Sequence, residues 1–181
     1  FDVPAIGRAV IYEVFSIGKP RGGSTITQQL AKNAFLSTKR AYSRKLRELI
    51  LSVRLEQSYD KDKILELYLN SIPYGNNAYG AEMASKIYFA KNARNLTLAE
   101  SAIVASLPKA PTYYSPFGPN VYSKLERTFS SEELKIKIPK TAADLQNTDY
   151  TMGLVGKTVA LSPTANIYLP GRTNLVLNRM N

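Results

Sequence analysis

The sequence predicts a mainly α fold with a partly β element near its C-terminus. Three observations carry this. Apolar residues recur at helical spacing up to about residue 110. Two capping patterns, Thr25 with Gln28 and Thr97 with Glu100, mark helix starts. From Gly118 the texture changes, and Val159-Ala160-Leu161 and Asn166-Ile167-Tyr168-Leu169 flank a Ser-Pro-Thr-Ala turn, the pattern of a hairpin.

Taken in order, the first helix is expected from Thr25, with Ile26, Leu30 and Ala34 repeating along it. From Ser43, the set Leu46, Leu49, Ile50 and Val53 predicts one buried face, with Arg44, Arg47 and Glu48 together on another. Lys63–Asn70 predicts a short helix with Ile64, Leu65, Tyr68 and Leu69 inward. Pro73 and Gly75 break it, and helical spacing resumes over Gly80–Phe89. The Thr97 box opens a helix of small residues that Pro108 and Pro111 close. Val121–Glu133 is compatible with a further helix ahead of the hairpin. Gly156-Lys157-Thr158 resembles the end of a phosphate loop, but the first glycine of that motif would fall on Thr151. A lysine at the start of a strand is the better reading.

Composition bounds the chemistry. The 181 residues include no His and no Cys, which excludes Ser-His-Asp and Cys-His catalysis and the usual zinc sites. Acid–base work falls to Asp, Glu, Lys or Tyr. A hydrophobic content of 44% suits one domain with a proper core. The net charge of +10 favours an anionic partner: nucleic acid, an anionic membrane surface or a phosphorylated substrate. No run of about eighteen apolar residues occurs, so no transmembrane helix is expected within these residues. The chain starts at Phe1 and Leu175–Met180 reads as mid-helix, so an internal piece of a longer protein is expected.

The charge is unevenly spread. Between Lys19 and Leu55 stand Lys19, Arg21, Lys32, Lys39, Arg40, Arg44, Lys45, Arg47 and Arg54 against a single acid, Glu48. A lone carboxylate in such a field suggests a task. Upstream, Gly22-Gly23-Ser24 leads into the Thr25 helix start. The glycines let the backbone approach a ligand, and the helix presents free N–H groups and a positive dipole end. Duller readings stand beside these. Ser24 and Thr25 also suit a plain cap, with Gln28 completing the box. Arg44 and Lys45 suit a solvated face, and Glu48 with Arg44 an ordinary i,i+4 pair. Glu66 suits a brace for the fold, and Tyr113 and Tyr114 suit packing under a proline turn as well as substrate contact.

Four stretches then point to a family: GGSTITQQLAKN, SRKLRELILSVRLEQ, KILELYLNSIPYGNNAYGAEMASKIYF and LAESAIVASLPKAPTYYSP. They closely resemble the glycosyltransferase family 51 domain of class A penicillin-binding proteins and monofunctional peptidoglycan transglycosylases. The resemblance covers residues 1–117 and resumes at Arg172–Leu177, which looks like the family's closing Arg-x-x-x-Val-Leu motif. It implies a lysozyme-like glycosyltransferase lobe over 1–117, an inserted element with the hairpin over 118–171, and a closing helix over 172–181. The inserted element is expected to be a surface excursion. Its Lys135, Lys137 and Lys140 beside Ile136 and Ile138 suit a membrane or partner contact and equally a strand edge guarded by lysines.

The implied activity is polymerisation of lipid II into glycan strands with release of undecaprenyl pyrophosphate. The family's first motif, Glu-Asp-x-x-Phe-x-x-His-x-Gly, is expected just before Phe1, which places the principal catalytic glutamate upstream. By resemblance Glu48 is the second catalytic carboxylate, and Lys32, Arg40 and Arg47 contact the pyrophosphate. Ser24, Gln28 and Gln29 line the cleft. Surrounding cations should keep Glu48 ionised, to orient Arg and Lys or to serve as a metal ligand. A divalent cation (Mg2+ or Mn2+) is compatible with this set but not demanded by it. Implied partners are lipid II, the growing glycan strand, the membrane surface and other cell-wall synthesis proteins, with no nucleic acid. The implied location is the extracytoplasmic face of a bacterial cytoplasmic membrane, with the anchor upstream. Two alternatives remain open: a lysozyme-like lytic enzyme, and a non-catalytic basic module binding membrane or nucleic acid.

Overall fold

A computed structural model describes residues 25–35 and 42–180. The described chain is mainly α: α1 (Ile26–Phe35), α2 (Tyr42–Ser58), α3 (Lys61–Ser71), α4 (Ala81–Phe89), α5 (Leu98–Ser106), α6 (Ser131–Ile136) and α7 (Arg172–Leu177). The β part is small and lies near the C-terminus. β1 (Lys124–Leu125) pairs with β2 (Tyr150–Thr151), and β3 (Lys157–Ser162) with β4 (Ala165–Leu169), both antiparallel. Two compact units divide between Leu65 and Glu66, within α3.

In the first unit α1 packs on α2. The buried side of α1 is Thr27, Gln28, Leu30 and Ala31, while Ile26 is 43% exposed and Ala34 lies outside. Successive helical residues point about 100° apart, so an arc centred on Thr27 and Ala31 turns Ile26 outward. α2 departs further from the expected pattern. It buries Glu48 and Ser52, one turn apart, and leaves Leu46 and Ile50 exposed, with Leu49 and Val53 half-buried. Periodicity shows that two stripes exist; only the neighbouring helix decides which one is covered. In α3 Ile64 is buried, whereas Leu65, expected inward, is exposed.

The second unit holds a core of Ile72, Tyr74, Ala78, Ala84, Val104, Leu107 and Leu154. Of the remaining α3 residues Tyr68 is half-buried against this core, while Leu69, expected inward, is exposed. Glu66 is exposed too. The turn after α3 is built on left-handed backbone. Gly75, Asn76 and Asn77 have φ of 91, 48 and 57°, and the turn closes with Tyr74 N–H donating to the Ala78 carbonyl at 2.8 Å. A Cβ on Gly75 would stand 2.8 Å from the Pro111 carbonyl oxygen, so both space and φ call for glycine. The Tyr74 hydroxyl donates to the Leu69 carbonyl, and burial pushes its pKa up to about 12. α5 opens on the expected capping box: Thr97 accepts from the Glu100 N–H and the Glu100 carboxylate accepts from the Thr97 N–H.

Beyond Gly118, the helix expected over Val121–Glu133 is absent. Tyr122 bridges Val155, Lys124 and Leu125 form β1, and helix begins only at Ser131, where Ser130 and Glu133 make a capping box. The reason is Ser123. Its fully buried hydroxyl donates to the Pro170 carbonyl at 2.9 Å and accepts from Gly153 N–H at 3.0 Å. Partners this distant in sequence override local helical preference. The hairpin stands where expected, with Val159 opposite Ile167. Leu154, inside the stretch expected as a surface excursion, is a fully buried member of the core. Its carbonyl accepts from both Thr173 N–H and Thr173 Oγ1 at 2.9 Å, which fixes the start of α7.

Candidate functional site

Three of the expected features meet between α1 and α2. Thr25 caps α1, its Oγ1 accepting from Gln28 N–H at 3.2 Å and its carbonyl from Gln29 N–H at 3.0 Å. That cap sets the helix phase, and the phase turns Gln28 inward to 6% exposure. From α2, Lys45 donates to Gln28 Oε1 at 3.1 Å, and its Nζ lies 3.5 Å from Glu48 Oε2. Glu48 is itself only 4% exposed. The result is a carboxylate, an ammonium and an amide in a row, the carboxylate shielded from water and the lysine still half-open.

A buried carboxylate persists as an ion only with a partner of opposite charge and hydrogen-bonding neighbours. Lys45 supplies the charge at i−3, and Gln28 orders the lysine from the other helix. Glu48 and Gln28 together hold the Lys45 ammonium in place. Lys45 was not among the candidate site residues, though its i,i+3 spacing to Glu48 is the signal that identifies it. Lys32 and Arg47 are exposed, and Gln29 is half-buried. Arg47, adjacent to Glu48 in sequence, points to a different side of α2, because neighbouring residues on a helix do not face each other. Gly22, Gly23, Ser24, Arg40 and the side chain of Arg44 lie outside the described residues.

A cleft of about 820 Å³ opens beside the start of α1. Its walls are Thr25, Ile26 and Thr27 on one side and the α2–α3 corner, with Tyr59, Asp60 and Leu65, on the other. It shares the capped start of α1 with the Gln28–Lys45–Glu48 row but not those side chains. No group of three or more acids gathers to hold a metal among the described residues. No helix among the described residues is long and apolar enough to cross a membrane.

Comparison with known proteins places these helices. A family model described as transglycosylase matches residues 1–134, reaching past the expected boundary at 117 to Leu134 in α6. Penicillin-binding protein 1F of Bacillus subtilis (strain 168) is 49% identical over 115 residues, which is 64% of this chain and 16% of that protein. Penicillin-binding protein 1A of Neisseria flavescens is 49% identical over 128 residues, 71% of this chain and 16% of that protein. Penicillin-binding protein 1A of Neisseria gonorrhoeae is 48% identical over the same length. The chain thus spans only a small part, 16%, of the curated relatives it matches. With the model match running through both helices that carry the Gln28–Lys45–Glu48 row, the chain belongs to the transglycosylase family.

Proposed function

We propose that this chain is part of a peptidoglycan glycosyltransferase that polymerises lipid II into glycan strands and releases undecaprenyl pyrophosphate. The observation that carries the reading is the buried Glu48, held by Lys45 and Gln28 between α1 and α2 of a transglycosylase-family chain. In the reaction an acceptor sugar hydroxyl attacks the donor's anomeric carbon. The new C–O bond forms as the bond to pyrophosphate breaks, with inversion, and the hydroxyl proton passes to the family's first glutamate. Negative charge grows on the leaving pyrophosphate, and preorganised cations are what lower that barrier.

Lys32, Arg40 and Arg47 are assigned to that charge, arginine as a fork and lysine as a point charge. Glu48 is assigned to holding Lys45 and its neighbours in register. Glu48 is the carboxylate that would hold a divalent cation, which would add positive charge for the leaving pyrophosphate. Ser24, Gln28 and Gln29 are assigned to sugar and phosphate oxygens of the substrate, with Gln28 acting through Lys45. A substrate embedded in lipid sets the location at the extracytoplasmic face of a bacterial cytoplasmic membrane, beside other cell-wall synthesis proteins.

The test is Glu48→Gln in the full-length protein, with lipid II products resolved on a gel. Gln keeps the size and hydrogen-bonding shape but removes the charge that orders the cations. Turnover should fall by about 10²-fold or more. The melting temperature should move by only a few degrees, since Lys45 is 46% exposed and regains water. Full polymerisation by the variant removes Glu48 from the mechanism. Shortening of preformed glycan by the unaltered protein, with no new polymer, turns the reading to a lytic enzyme.

A further inference from the structure

The segment after α6 is built unlike the rest of the surface. Ile136, the last residue of α6, is 87% exposed, and Ile138 is 48% exposed. Lys135, Lys137 and Lys140 alternate with them and are all exposed. The segment is firmly held. Ser130 caps α6, Arg127 holds the Glu133 carboxylate and lies over the Phe129 ring at 4.9 Å. Pro139 is buried, and Asp144 accepts from Lys140 N–H at 3.1 Å and Thr141 N–H at 3.0 Å. Two isoleucines are therefore fixed outward, against the water. The lysines do not guard a sheet edge either, because residues 137–140 belong to no strand.

We propose that Lys135–Lys140 is an interfacial wedge that docks on an anionic lipid surface. The isoleucines enter the acyl boundary and the lysines reach lipid phosphates, their long stems letting the ammonium groups stay at headgroup level. Lipid fits better than a protein partner. Protein interfaces favour aromatic residues and arginine and are depleted in lysine, whereas this wedge pairs isoleucine with lysine and has no aromatic residue. The local acids do not oppose docking. Glu133 is engaged by Arg127 and by the cap, and Asp144 by the Thr141 turn and by Lys137 at 3.9 Å. Glu132, about 6 Å back along the same face of α6, is one exposed acid against the three lysines of the segment. The net charge of +10 has the same sign as the wedge. A single wedge gives reversible contact, so it supplements whatever else holds the protein at the membrane. The proposal rests on the glycosyltransferase reading only in that a lipid-linked substrate brings a bilayer within reach.

The chain contains no Trp, so Ile136→Trp introduces the sole indole. On vesicles of phosphatidylcholine with a minority of phosphatidylglycerol its emission should shift to the blue and be quenched by brominated lipid. On pure phosphatidylcholine the shift should be much weaker. In co-sedimentation, Ile136→Ser with Ile138→Ser should weaken anionic-vesicle binding by about tenfold or more. Lys135→Gln and Lys140→Gln should each weaken it about fivefold, less at high salt. Unchanged circular dichroism confirms that these exposed positions leave the fold intact. Sedimentation with vesicles but no emission shift overturns the wedge and places the contact elsewhere. A shift that rises with protein concentration and needs no vesicles overturns it in favour of self-association. Neither readout involves glycan synthesis, so loss of the wedge and loss of the enzymatic reading are separate results.

Discussion

At the scale of single residues, the side chains that matter most are those whose surroundings reverse their usual preference. Glu48 and Ser52 are buried on α2 while Leu46 and Ile50 stay exposed, the reverse of the usual preference of these residue types. Glu100 shows the opposite case, a carboxylate used for structure. Lys91 donates to it at 2.7 Å and the Thr97 N–H at 2.8 Å, and these two bonds, the lysine's first, hold its pKa down to about 2. The sign of its contribution follows. With the folded value below the ordinary 4.5, the stabilisation is present in full above about pH 4.5 and fades as pH falls from there through 2. Melting curves of the chain and of Glu100→Gln should therefore differ at pH 6 and converge towards pH 2. A gap that stays constant over this range would show that Glu100 acts through packing alone.

At the scale of elements, the decisive piece is the short run 153–155. Leu154 fills the core beside Ile72, Tyr74 and Leu107, and its carbonyl anchors the first turn of α7, which packs on α5. Leu154→Ala should cost about 2–5 kcal/mol in denaturant unfolding, the range for deleting a large core side chain. Val159→Ala, on the half-exposed β3 strand of the hairpin, should cost much less. Equal effects would show that the hairpin is as integral as the core.

At the scale of the whole molecule, net charge governs encounter. A chain of +10 should meet anionic vesicles faster and bind them more tightly at low ionic strength, where the Debye length is about 30 Å at 0.01 M against about 8 Å at 0.15 M. Co-sedimentation across that salt range should show binding falling steeply. With both wedge isoleucines replaced, the residual binding should fall away more completely at high salt, because only the screened part of the attraction remains. Salt-independent binding by that variant would mean that apolar contact elsewhere dominates.

The division between what could be read directly and what could not has a physical basis. The capping box at Thr97, the break at Pro73–Gly75 and the hairpin around Ser162–Ala165 all depend on groups a few residues apart, so local spacing determines them. The lone acid Glu48 among basic residues was visible in the same way. Which face of α1, α2 and α3 is covered was not, because amphipathic spacing leaves the choice to the neighbouring helix. The pairing of Lys45 with Gln28 spans seventeen positions, and Ser123 bonds to Pro170 across forty-seven. No periodicity encodes such partners. The amino-acid sequence determined the helices up to residue 110, the hairpin and the family; tertiary packing alone decided that Val121–Leu125 is not helical, that Glu48 is buried and that Leu154 belongs to the core, since these depend on surfaces that meet only once the chain has folded.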